Sequence, residues 1–164
     1  MWVDDLPVLE QGWSPAERHG LAAEQGAEGL FSLLDKAYLT QRLEELLLQP
    51  IRSPQDLEKW IEAEGELSEQ IQEMASWVLI NFKRDHRNEQ ARLRFEQLNR
   101  EILPVLERYG HQLDKKLISS PFVDQLDQKR YGRLLQSRKN ALALYREANI
   151  PLRIKEQELI KRYN

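Results

Sequence analysis

Ser53-Pro54-Gln55-Asp56-Leu57-Glu58-Lys59-Trp60-Ile61 opens the stretch that decides the fold. Ser53 can cap a helix, and Pro54 suits the first helical position, where no N–H is needed. Asp56 stands at the third helical position, in reach of the cap amide. Leu57, Trp60, Ile61, Leu67, Ile71, Met74, Ala75, Val78 and Phe82 continue at steps of three and four, with one seven-residue step across Ala63 to Glu66. That period puts them on one face of a single long helix. Gly65 inside it costs about 1 kcal/mol against alanine and marks close packing or a bend.

Upstream, Ser14-Pro15-Ala16-Glu17 carries the same start signal, for a short helix ending near Gly26. Residues 1–13 read as an extended arm anchored by Trp2 and Trp13. Leu30, Phe31, Leu33, Leu34, Ala37, Tyr38, Leu43, Leu46 and Leu47 continue at helical spacing as far as Pro50.

Downstream, Asp85-His86-Arg87-Asn88 is a break, and Asn88 is a good cap for the next helix. That helix carries Ala91, Phe95, Leu98, Ile102, Val105, Leu106, Tyr109, Leu113 and Leu117, with a kink expected at Pro104, whose ring removes one helical hydrogen bond. Ser119-Ser120-Pro121 ends it, and Phe122, Val123 and Leu126 form a linker or one helical turn. A further helix is expected from about Gln128 to Ala148. The corner Asn149-Ile150-Pro151 breaks it, and a last helix starts near Leu152. No segment alternates with period two for long enough to read as a strand. The expected fold is all-α: one domain over residues 1–164, an elongated bundle of about six to seven long antiparallel helices.

Composition agrees. The 164 residues suit one domain with a real core. The chain is 31% charged and 41% hydrophobic, and seven Gly with seven Pro argue against a turn-rich β architecture. The absence of cysteine removes disulfides, thiolate metal sites and a cysteine nucleophile, and it fits a cytoplasmic location. The acidic start Met1-Trp2-Val3-Asp4-Asp5-Leu6 is not a signal peptide. Runs such as Trp77-Val78-Leu79-Ile80 are far too short to span a membrane.

The net charge of −3 hides a division. Residues 1–82 hold 5 basic and 16 acidic side chains, whereas residues 83–164 hold 19 basic and 11 acidic. Two halves that attract each other, or that each line a different surface, explain this better than nucleic-acid binding. The basic residues are interspersed with Glu and Asp, and no aromatic–basic stripe accompanies them.

Candidate chemistry is sparse. His19, His86 and His111 form no His-Glu-x-x-His pair, so no local zinc motif exists. Glu107 and His111, four apart beside Gly110, read as a surface pair. Glu62, Glu66, Glu69 and Glu73 form a carboxylate ridge, but no Glu-x-x-His partner completes a two-metal site. The ridge reads as a solvated face or one that answers the basic half. Ser119 and Ser120 precede a proline and read as a helix end, and the scattered glycines build no phosphate loop. Trp60 and Trp77 read as packing aromatics. Residue pattern alone assigns no catalytic, cofactor-binding or metal-binding residue.

Several segments resemble a known family. Asp56-Leu57-Glu58-Lys59-Trp60-Ile61 with Gly65-Glu66-Leu67, Leu98 to Pro104, Ser120-Pro121-Phe122, Tyr131 to Arg138, and Leu159 to Tyr163 are similar to pieces of the thimet and oligoendopeptidase F zinc metallopeptidases. The strongest match is Leu144-Tyr145-Arg146-Glu147-Ala148-Asn149-Ile150-Pro151-Leu152, which resembles that family's Leu-Phe-Arg-x-x-Asn-Val-Pro-Leu. The likeness covers residues 54–164, and residues 1–53 match loosely. It implies the N-terminal helical part of an enzyme whose two halves face each other across a deep channel. The zinc, its His-Glu-x-x-His helix and a downstream Glu ligand belong to the C-terminal half, so no catalysis is expected from these residues alone. The implied partners are that catalytic half and peptide substrates. A stand-alone helical interaction module is the alternative, and neither membrane nor nucleic acid is an expected partner.

Overall fold

The computed structural model describes residues 28–145 and 150–163. The expected arm, the Ser14 helix, Trp2, Trp13, His19 and Asn149 of the corner lie outside them. Within the described residues the chain is all-α, with no strand. A 3-10 segment, Glu28–Leu34, leads into α1 (Lys36–Leu48), α2 (Pro54–Arg84), α3 (Glu89–Gln97), a π segment (Leu98–Ile102), α4 (Leu103–Ile118), a 3-10 turn (Val123–Gln125), α5 (Gln128–Leu144) and α6 (Ile150–Tyr163).

Local signals place most of the starts. Ser53 Oγ accepts from the Asp56 amide at 3.0 Å, and Asp56 Oδ2 accepts from the amide of Arg52, one residue before the cap, at 3.0 Å. Asn88 caps α3 through the Ala91 amide at 3.2 Å, and Asp127 caps α5 through the Lys129 amide at 3.0 Å. Each cap satisfies an amide that the first helical turn leaves without a partner.

Four expectations change. The apolar face from Leu30 to Leu47 is not one helix. Asp35 caps α1 by accepting from the amides of Ala37 (3.0 Å) and Tyr38 (3.4 Å), so the chain before it closes as a separate 3-10 segment. Gly65 does not mark close packing: α2 runs unbroken through it, and a Cβ there would meet nothing within 4 Å. The helix expected across Pro104 is not regular. The five residues before α4 adopt a π turn, in which the Leu103 amide bonds the Leu98 carbonyl five residues back. The wider turn accommodates a ring that would otherwise press on the carbonyl one turn earlier. Finally, α5 ends at Leu144 rather than about Ala148, because Tyr145 is extended.

The core follows the periodicity. Leu57, Trp60, Leu67, Ile71 and Met74 of α2 meet Leu39 and Leu43 of α1, Ile102, Leu106, Leu113 and Leu117 around α4, and Tyr131 and Leu135 of α5. The helices α4 and α5 pack as neighbours, as do α2 and α3, and α1 lies against α4. Trp77, with Leu30, Phe31 and Ile80, forms a small satellite beneath the 3-10 segment. Both tryptophans are packing aromatics, as expected. The helix α6 sits on the outside of α4. Lys161 Nζ lies over the Phe95 ring (3.9 Å) and near Phe82 (5.0 Å), and these two rings are stacked on each other.

Candidate functional site

Three features concentrate the polar chemistry of the described residues: a buried ionic cluster, a cation held by backbone carbonyls, and an open cleft.

The cluster joins three helices. Glu64 lies on α2, Asp114 on α4 and Arg138 on α5, and all three face inward. Arg138 Nη1 donates to Glu64 Oε1 and to Asp114 Oδ1, each at 2.5 Å. Glu64 and Asp114 are each 1% exposed and Arg138 9%, so water screens none of them appreciably. Burial pushes the Asp114 carboxyl above the usual carboxylate range, against the opposing pull of Arg138. Burial alone would lower the Arg138 guanidinium, but the two carboxylates outweigh it and hold it above its ordinary value. Asp114 Oδ2 is buried without a hydrogen-bond partner.

The second cation answers dipoles rather than charges. Lys116 Nζ donates to the carbonyls of Leu46 (2.9 Å), Leu47 (2.8 Å) and Gln49 (2.5 Å). These belong to the C-terminal end of α1, where unpaired carbonyls and the helix dipole favour a positive charge. Trp60 Nε1 donates to the same Leu46 carbonyl at 2.8 Å. Burial pulls the lysine below its usual range, while the three oxygens aimed at it favour its charged form.

The cleft, about 1010 Å³, lies between the 3-10 segment and α1 on one side and α3 with the π turn on the other. Phe31, Leu34 and Ala37 contribute its apolar lining, and Thr40, Gln41, Glu44, Arg94, Gln97 and Glu101 its polar one. Gln97 Nε2 donates to the Leu34 carbonyl at 2.7 Å and ties the two sides together. Arg94 lies over the Phe31 ring at 4.0 Å. Glu44 accepts from the Tyr109 hydroxyl at 2.9 Å.

The residues singled out from the sequence do not converge. His86 is exposed in the turn after α2, edge-on to Phe82 at 5.7 Å. His111 stacks on Tyr145 at 3.7 Å. Glu107 is buried, so the expected Glu107–His111 surface pair is corrected. Of the carboxylate ridge, Glu62 comes within 3.9 Å of Arg130, while Glu66 and Glu69 are exposed. No three His, Cys, Asp or Glu among the described residues are placed to hold a metal ion. The resemblance puts the zinc ligands outside these residues, and no catalytic step is built on them.

The comparisons agree with this architecture. The chain matches the family described as Peptidase M3 N-terminal domain over residues 33–145. It belongs to that family. The matched span runs from the end of the 3-10 segment through all of α1 to α5, and so contains the cluster, the lysine and all of the cleft's lining but Phe31. Comparison with curated proteins and with solved structures gives no match. An M3 N-terminal domain implies a catalytic region elsewhere in its parent. Among the described residues, no helix is long and apolar enough to cross a membrane.

Sequence reading passed over Glu64, Asp114 and Arg138 as a unit, although a signal was present. Glu64 occupies the missing step between Trp60 and Leu67, on the apolar stripe itself. Asp114 adjoins Leu113 on the inner face of α4, and Arg138 follows Tyr131 and Leu135 on the inner face of α5. A charge on an apolar stripe is a buried charge in want of a partner.

Proposed function

We propose that this chain is the non-catalytic N-terminal helical domain of an oligoendopeptidase F-like zinc metallopeptidase that cleaves short peptides. It forms one wall of the substrate channel and docks against a catalytic half that carries the zinc. The observation that carries this reading is the family match spanning α1 to α5. The likeness of residues 54–164 to oligoendopeptidase F segments supports the finer assignment. The cleft between the 3-10 segment, α1 and α3 supplies a concave, mixed polar and apolar surface of the kind a peptide channel needs. A cytoplasmic setting suits a chain with no cysteine.

The stand-alone interaction module, acting through its charged halves, has less support. The acidic and basic halves answer each other at Arg138–Glu64 and Arg130–Glu62.

The test is to sequence the source transcript past codon 164 and to assay the purified chain with zinc and a quenched-fluorescent peptide. The chain alone should give no turnover. A half encoding His-Glu-x-x-His, in the same frame or supplied separately, should bind it and produce turnover. A transcript with no such motif within a few hundred codons, and no half that complements the chain, would overturn the reading.

A further inference from the structure

A helix lying on a bundle normally turns its apolar stripe inward and its charges to water. The helix α6 departs from that rule. Its described contacts with the bundle come from Lys161, whose Nζ lies over the stacked Phe95 and Phe82 rings, and from Glu158, within 3.8 Å of Arg100. Half-buried Ile154 lies four residues before Glu158, and Lys161 three after it, so the three share one face. At about 100° per residue, Leu159 and Ile160 straddle the opposite face. They are 42% and 53% exposed. A single exposed aliphatic residue, such as Leu48 on α1, is ordinary. An adjacent pair is different when the inner face that would normally bury it is held by a lysine and a glutamate. Its apolar side is left for a second body.

The order of the chain points to that body. The family-matched domain ends at residue 145, and α6 begins at Ile150. An N-terminal domain precedes the rest of its parent, so the backbone passes from the bundle to the catalytic region through α6. A region joined to that helix meets it at high effective concentration, which no free partner does. We propose that the outer face of α6 is the docking surface for the parent's catalytic region, with Leu159 and Ile160 buried against it. This rests on reading the chain as the non-catalytic half of a two-half peptidase, and it names the surface that the two halves share. The inner side fits the role. A cation over two rings and one exposed ion pair hold α6 against the bundle without using its aliphatic side chains.

The experiment follows hydrogen exchange in α6 of the 164-residue chain, alone and with the His-Glu-x-x-His half that restores turnover. Amides of α6 should exchange about tenfold more slowly, or slower still, in the presence of that half. Leu159→Gln with Ile160→Gln keeps good helix formers in place and should abolish this protection. It should also weaken association by about tenfold or more, while Leu48→Gln behaves as wild type. Unchanged exchange in α6 under conditions where turnover is restored overturns the proposal and leaves the peptidase reading standing; that result needs no variant to fold. Sedimentation of the chain alone supplies a second check, with a monomer expected. A dimer that the double variant dissolves would assign the face to a second copy and overturn the proposal. If no half restores turnover, the peptidase reading itself fails and takes this surface with it.

Discussion

Lys116 and Arg138 are both basic residues held inside the same bundle, yet they are held by opposite means. Lys116 sits at the corner between α1 and α2 on three backbone carbonyls, with no carboxylate among its hydrogen-bond acceptors. Arg138 sits in the seam of α2, α4 and α5 on two buried carboxylates. The corner uses dipoles that the fold produces anyway at a helix end, so it adds one charge and no counter-charge. The seam uses formal charges that are taken out of water. Dipoles make a contact that tolerates changes of pH, whereas charges make one that is stronger, more directional and tied to proton occupancy.

The contrast can be broken most sharply at Arg138. R138M leaves Glu64 and Asp114 buried without the guanidinium that bonds them both and should destabilise the chain by about 3–5 kcal/mol, measured by urea unfolding near neutral pH. Adding E64Q and D114N to R138M should recover a large part of that loss, because no uncompensated charge remains. A triple variant no more stable than R138M would mean that shape, not charge, holds the seam.

The corner should respond less. K116M takes their donor from the Leu47 and Gln49 carbonyls, while Leu46 keeps Trp60 Nε1, and creates no buried charge, so a loss of about 1–3 kcal/mol is expected. Circular dichroism should show the loss of at most one turn of helix. The intermediate case is the cap: S53A removes the acceptor for the Asp56 amide and should cost about 1 kcal/mol, with no change in pH dependence.

The smallest effect belongs to the surface. Glu62 and Arg130 lie 3.9 Å apart with most of both side chains in water. E62Q should change stability by less than about 0.5 kcal/mol, and by less still in high salt. An effect as large as that of K116M would mean the pair is drawn into the seam.

The helices were legible because their signals are local. Ser53-Pro54 and Asn88 announce starts, and the three-and-four stripe from Leu57 to Phe82 defines α2 with few alternatives. What was hidden depends on distance in the chain. Asp35 as a cap and the π turn before Pro104 arise from a competition between neighbouring backbone bonds that periodicity averages away. The cluster was hidden for a different reason. Glu64, Asp114 and Arg138 are 24 to 74 positions apart, and each looks like an ordinary surface charge until the stripe it sits on is followed across it. Glu107 was misplaced by the same habit of reading charge as exposure. The cleft was not legible at all, since it depends on how α1 and α3 lean together.

The attachment of α6 has a consequence for time rather than energy. Its described ties to the bundle are Lys161 over the Phe95 and Phe82 rings, an Arg100–Glu158 contact at 3.8 Å, and a place against α4, while Leu159 and Ile160 face outward. Such a helix can lift away without disturbing Trp60 or Leu106. Its amides should therefore exchange with deuterium orders of magnitude sooner than those in the middle of α2, which are released only when the whole bundle opens. The chain thus carries two clocks, a fast one at its edge and a slow one at its centre.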